Sequence, residues 1–133
     1  MSAVTYSDVI GQQEAKQHVL QMVREGRVPH ALMLSGREGA GAMPLALALA
    51  RHVLCEHPRE DGPCQTCAGC RMTAEWAHPD LHFSFPVCKA KSTDKPTSAD
   101  YIRQWREQLQ DSIYFDTEMW LSDIKADNQQ MTH

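Results

Sequence analysis

Four cysteines, Cys55, Cys64, Cys67 and Cys70, stand within sixteen residues as C-x8-C-x2-C-x2-C. Thiolates are soft ligands, and two-residue spacers let a chain curl so that successive sulfurs face one ion. Four of them supply the tetrahedral set of a structural zinc site. Other chemistries compete. A ferredoxin-type run also begins C-x2-C-x2-C, but it continues to a further cysteine followed by proline, whereas Thr73 stands three residues beyond Cys70. Disulfides need an oxidising compartment, and Met1–Ile10 has no basic stretch leading into an apolar segment of signal-peptide length. A reduced, cytoplasmic setting is therefore expected, in which free thiols are the remaining alternative. His52, His57 and His78 lie near enough in sequence to replace Cys55 as fourth ligand. Cys55 ranks first because it closes an all-sulfur set. Cys88 stands apart and reads as a small buried hydrophobe.

A second chemical feature precedes the cysteines. Gly36-Arg37-Glu38-Gly39-Ala40-Gly41-Ala42-Met43 has the register of the phosphate loop G-x-x-x-x-G-K-[ST]. Ala42 stands where lysine reaches the phosphates, and Met43 where a hydroxyl holds Mg²⁺. Backbone N–H groups at a helix start attract an anion only weakly without that charge. Nor does an apolar strand closed by Asp-Asp or Asp-Glu follow to hold the metal. The loop of Gly36, Gly39, Gly41, Ala42 and Met43 is thus degenerate, no catalytic residue is expected, and a glycine turn that binds nothing is the plainer alternative.

These residues need elements to position them. Ala15, Val19, Met22 and Val23 recur at helical spacing, and Gly26 is placed to end that first helix. His30–Ser35 is a short apolar run between Pro29 and Gly36, which predicts a buried strand. Pro44 opens an Ala/Leu-rich helix to Leu54, since proline is tolerated in a first turn. The cysteine cluster follows as an insertion at 55–70, with turns at Pro58, Gly62 and Pro63. Leu81, Phe83, Phe85 and Val87 alternate with polar or small residues, which predicts a second strand, and Pro86 places it at a sheet edge. Lys89–Thr97 reads as a loop, Thr97 or Ser98 as the cap of a helix carrying Ile102, Trp105 and Leu109, and Thr117 as the cap of another carrying Trp120, Leu121 and Ile124. Asp127–His133 shows no pattern.

The 133 residues suit one ordinary domain. Thirteen Lys+Arg against seventeen Asp+Glu give a net charge of −4, which disfavours phosphate backbones as direct partners. Arg59 and Arg71 flank the cysteines, but Glu56, Glu60, Asp61 and Glu75 dilute them, so a zinc-dependent nucleic-acid module is a lesser reading. No apolar run approaches the ~20 residues that cross a bilayer.

Several segments together resemble the N-terminal region of bacterial DNA polymerase III clamp-loader subunits of the delta-prime family, which are AAA+ proteins. The resemblance rests on Tyr6-Ser7-Asp8-Val9-Ile10-Gly11-Gln12, on Arg27-Val28-Pro29-His30-Ala31-Leu32, on the glycine loop, on the cysteine quartet after the loop helix, and on His78-Pro79-Asp80-Leu81. It implies an α/β fold: a partial, P-loop NTPase-like AAA+ module over 1–133 with parallel strands, flanking helices and a small zinc-binding insertion. It also implies a non-catalytic part in placing a sliding clamp on primed DNA, with other clamp-loader subunits as partners, DNA reached indirectly, and no membrane. The departures at Ala42 and Met43 resemble delta-prime more than the gamma/tau ATPase subunits, which are the alternative. Five strands characterise the AAA+ module, so this chain is expected to be a fragment whose unpaired edges favour self-association.

Overall fold

The computed structural model describes residues 4–36, 41–85 and 98–131, the side chains of 98–99 and 125–131 excepted. These residues divide into two compact units, Met1–Leu81 and His82–His133.

The first unit is built on α1 (Gln13–Arg24), α2 (Ala42–Val53) and α3 (Ala68–Ala74). The predicted end of α1 is realised in full. Gly26 takes a left-handed φ of 65°, its N–H bonds to Val23 O at 3.1 Å, and the Arg27 N–H reaches back to Met22 O at 2.9 Å. That pair of bonds is a Schellman closure, which satisfies the last carbonyls of the helix. α3 closes with the same two bonds, from Trp76 N to Thr73 O and from Ala77 N to Met72 O. There the left-handed position is held by Trp76, whose indole is 2 % exposed. A non-glycine in that conformation costs of order 1–2 kcal/mol, which burial of so large an apolar side chain can offset.

α2 begins at Ala42, two residues ahead of the predicted Pro44. Gly41 at φ 96° supplies the turn into it, and Pro44 falls where a helix leaves its N–H groups unbonded. One face of α2 joins a core of Tyr6, Val9, Val19, Leu20, Leu45, Ala48 and Leu49. Ala42, Met43, Ala46, Ala50 and Val53 of α2 line an apolar groove of about 610 Å³ together with Leu32 and Leu34, with Asp80 as its charged member.

The second unit contains a 3-10 turn at Ser98–Tyr101, α4 (Ile102–Asp111) and α5 (Thr117–Met131). Trp105 is at the centre of an aromatic cluster: Phe85 stacks on it at 4.4 Å and 7°, and Phe115 and Trp120 meet it edge-on at 5.4 and 5.1 Å. Asp116, and not Thr117, caps α5, through a 2.7 Å bond from Met119 N to Asp116 Oδ1. α5 also takes in residues 127–131, where the sequence shows no pattern.

The predicted parallel strands are the main correction. Among the described residues there is no strand, only an isolated bridge between Arg59 and Gly62. Residues 30–35 are irregular and, apart from half-buried Leu34, exposed; Met33 is 86 % exposed. A strand is stabilised by a ladder with a neighbour, and neither 30–35 nor 81–85 has one. Phe83 and Phe85 nevertheless keep the burial alternation that the sequence shows, with His82 and Ser84 exposed. Pro86, Val87, Cys88, Lys89–Thr97 and Gly39 lie outside the described residues.

Candidate metal centre

Cys55 follows directly on the C-cap of α2, Cys64 follows the turn closed by the Arg59–Gly62 bridge, and Cys67 and Cys70 bracket the start of α3. Cys67 is the N-cap of α3, its sulfur accepting from Cys70 N at 3.3 Å. The four thiols are free, and their sulfurs lie within 4.8 Å of one another. Two edges of the set measure 3.8 Å (Cys55–Cys67) and 3.9 Å (Cys64–Cys70). A tetrahedron with metal–sulfur bonds of ~2.3 Å has sulfur–sulfur edges of ~3.8 Å. The four residues can therefore hold one metal ion, and a multi-iron cluster would spread its thiolates further apart. All four are 8 % exposed or less, so the set is closed to solvent.

Backbone amides converge on the same sulfurs. Glu56 N donates to Cys67, His57 N and Cys64 N to Cys55, and Gln65 N to Cys70, at 3.2–3.4 Å. Hydrogen bonds to a thiolate favour it, and burial disfavours it. The Thr66 backbone amide is the chief cause holding the Cys64 thiol down to about 5. The Glu56 amide, followed by that of Cys70, lowers Cys67. Burial pushes Cys55 up, and pushes Cys70 up to about 12. Amide donation thus favours the thiolate at Cys64 and Cys67, burial favours the thiol at Cys55 and Cys70, and a divalent ion bound among them would displace the remaining protons.

The histidines that compete for the fourth place are not in the set. His52 is fully buried and uses both ring nitrogens. Its Nε2 lies 2.8 Å from Arg59 O and its Nδ1 3.0 Å from the Tyr6 hydroxyl. A carbonyl only accepts, so Nε2 carries the proton and Nδ1 accepts from Tyr6. Burial lowers the His52 pKa and raises that of Tyr6, which favours the neutral form of each. His57 is exposed, and His78 Nδ1 accepts from Asp80 N at 3.0 Å.

Residues without ligand character fasten the cysteine turns to the helices. The Arg51 guanidinium is buried and donates to Cys70 O at 3.1 Å, to Thr73 Oγ1 at 3.2 Å and to Val4 O at 2.6 Å. Arg24 Nε donates to Glu60 O at 3.0 Å. Gly69 packs against the Leu54 carbonyl at the end of α2, where a Cβ would collide with that oxygen. Gly62, at φ 150°, takes a backbone conformation that side-chain-bearing residues rarely adopt, with the Tyr6 ring in ordinary contact range, 3.5 Å from where a Cβ would be. Sequence carries one signal for these supports: Arg51 and His52 interrupt the Ala/Leu run of α2.

Ala42 and Met43 form the first turn of α2 and contribute to the wall of the apolar groove. Pro44 removes one more N–H from that turn. The side chains of this turn, Ala42, Met43, Pro44 and Leu45, are all uncharged.

Residues 11–121 match the family described as DNA polymerase III, delta subunit. The chain is 34% identical over 84 residues to DNA polymerase III subunit delta' of Escherichia coli (strain K12), a match covering 63% of this chain and 24% of the relative. It is 28% identical over 110 residues to DNA polymerase III subunit gamma of Buchnera aphidicola, covering 83% and 30%. Against DNA polymerase III subunit tau of Bacillus subtilis it is 33% identical over 66 residues, covering 50% and 12%. The chain therefore spans less than a third of the length of each of these relatives. No solved structure matches it significantly.

Proposed function

Because the chain belongs to the DNA polymerase III delta subunit family, we propose that it is the N-terminal part of a delta-prime-like, non-catalytic component of the clamp loader. In that role it supports the placing of the sliding clamp on primed DNA, working in the cytoplasm through contacts with the other clamp-loader subunits and reaching DNA only through them. The observation that carries the non-catalytic reading is the pair Ala42 and Met43 in the first turn of α2, an apolar wall where phosphate chemistry needs a cation and a metal ligand. The partial AAA+ organisation over 1–133, with the cysteine insertion at 55–70, belongs to the same proposal.

The gamma/tau reading draws on the relatives named gamma and tau. Labelled ATP with Mg²⁺ separates the two. A non-catalytic subunit shows no saturable micromolar binding, while saturable binding with turnover restores the ATPase reading. Reconstitution with the remaining clamp-loader subunits tests the partner side, and failure to enter the assembly counts against the role itself.

The ion we assign to Cys55, Cys64, Cys67 and Cys70 is zinc. A closed, buried, all-sulfur tetrahedral set suits its coordination preferences. When bound, it supplies folding free energy to the insertion and no reaction chemistry.

A further inference from the structure

We propose that Arg51 is the outer-sphere cation of the cysteine centre, offsetting the negative charge of a bound metal-tetrathiolate while fastening α3 to the N-terminal segment. This rests on the zinc reading above. Arg51 is 1 % exposed, and its hydrogen-bond acceptors, Val4 O, Thr73 Oγ1 and Cys70 O, are all neutral. A buried guanidinium satisfied by neutral acceptors alone still carries the cost of leaving water, which only an opposite charge nearby can offset.

The cysteine set is where that charge is found. Four thiolates around a divalent ion leave a net charge of −2 inside a closed site, and amide donors compensate it only partially. The arginine and the metal site each lack what the other supplies. The same guanidinium bonds the carbonyl of one ligand residue, Cys70, and the carbonyl of Val4, 47 positions earlier. Metal loading thereby reaches the Tyr6–Asp8 turn, whose Tyr6 hydroxyl also bonds His52.

Cobalt(II) titration of the full chain, with zinc measured by chelator competition, tests this on wild type, Arg51→Lys and Arg51→Met. Wild type should give the visible and near-ultraviolet absorption of a tetrathiolate cobalt site. Arg51→Met should bind on the order of 10–100-fold more weakly, as outer-sphere changes do, and Arg51→Lys should recover most of that loss because it keeps the charge. Unchanged affinity in Arg51→Met, or equal weakening in both variants, overturns the charge role. Absence of the cobalt signature in wild type overturns the metal reading itself. Should Arg51→Met fail to fold, amide exchange on wild type decides. The amides of Asp8 and Val9, bonded to Thr5 O and Tyr6 O, should exchange faster once the metal is stripped, and unchanged protection there refutes the coupling.

Discussion

Replacing Gly69 by alanine sets two effects of opposite sign against each other. In a helix alanine is favoured over glycine by ~0.8–1.0 kcal/mol, so at an open position the change stabilises. Gly69, however, lies in the first turn of α3 with the Leu54 carbonyl oxygen in the space a Cβ would occupy, and with Cys67 Sγ 3.7 Å from it. The obstacle is main chain at the end of α2, so no rotamer relieves it and the first turn of α3 must retreat. Overpacking of this kind costs ~1–3 kcal/mol. Subtracting the helix gain leaves a net loss of about 0 to 2 kcal/mol, centred on about 1. For a chain of this size a loss of about 1 kcal/mol lowers the melting temperature by roughly 4 °C. Because Cys67 and Cys70 flank Gly69, the retreat also moves two sulfurs relative to Cys55 and Cys64, and zinc affinity should fall about tenfold for each ~1.4 kcal/mol taken up by the bound form. Thermal denaturation followed by circular dichroism and chelator competition read the two effects. Gly26→Ala is the control: it strains a residue in a left-handed conformation, which Gly69 is not, but nothing lies within 4 Å of its Cβ, so zinc affinity should not change. A Gly69→Ala protein that melts at or above wild type with unchanged affinity refutes the reasoning, because helix propensity then outweighs the close approach.

Cys67→Ser keeps an oxygen able to cap α3 but removes a soft ligand, so it should lose stoichiometric zinc and melt lower; one bound equivalent and an unchanged melting curve would contradict the quartet. Burial lowers the His52 pKa, so below the unfolded value of ~6.5 the unfolded chain takes up a proton that the folded chain refuses. Stability should therefore fall as pH drops below about 6.5, by at most ~1.4 kcal/mol per pH unit, and His52→Gln should lose that part of the slope in melting curves run at several pH values. With Leu32 and Met33 42 and 86 % exposed beside or near the groove, the isolated chain should self-associate in sedimentation at rising concentration, and Met33→Glu should shift it toward monomer; a compact monomer throughout would count against that surface.

The helices were legible because their determinants are local. Ala15, Val19 and Val23 carry the stripe of α1, Gly26 its end, and Trp105 with Leu109 the buried face of α4. Local rules also limit the resolution: Asp116 and Thr117 are both good caps, and only the bond to Met119 N chooses between them. Strands are different, since His30–Ser35 has the composition of a buried strand but needs a neighbour's ladder to become one. The alternation at Phe83 and Phe85 predicts which side chains are buried without predicting the hydrogen bonds that define a strand. At the centre, the cysteine spacing pointed to four residues whose sulfurs the fold brings within 4.8 Å of one another. The supports were marked only by the break that Arg51 and His52 make in the Ala/Leu run, and their partners not at all, because Arg51 meets Val4 and His52 meets Tyr6 across 47 and 46 positions, and the need for glycine at 69 arises only when α3 comes against the end of α2.

The way the cysteine module is attached argues for a structural role independently of family membership. A catalytic metal site keeps a coordination position open to substrate, whereas here four sulfurs complete the set and all are buried. The attachments converge on the C-terminal end of α2: Arg51 holds α3, His52 holds the turn at Arg59, and the Leu54 carbonyl meets Gly69. Arg51 and His52 also bond Val4 and Tyr6, so the chain segment ahead of α1 and the cysteine turns behind α2 share the same two anchors. An ion that closes the turns therefore limits the motion of those anchors. Metal binding free energy of this kind, on the order of 10 kcal/mol in small zinc peptides, is large compared with the ~5–15 kcal/mol that stabilises a whole domain, and an ion bound to the four sulfurs would apply it to the helix that also lines the exposed apolar groove.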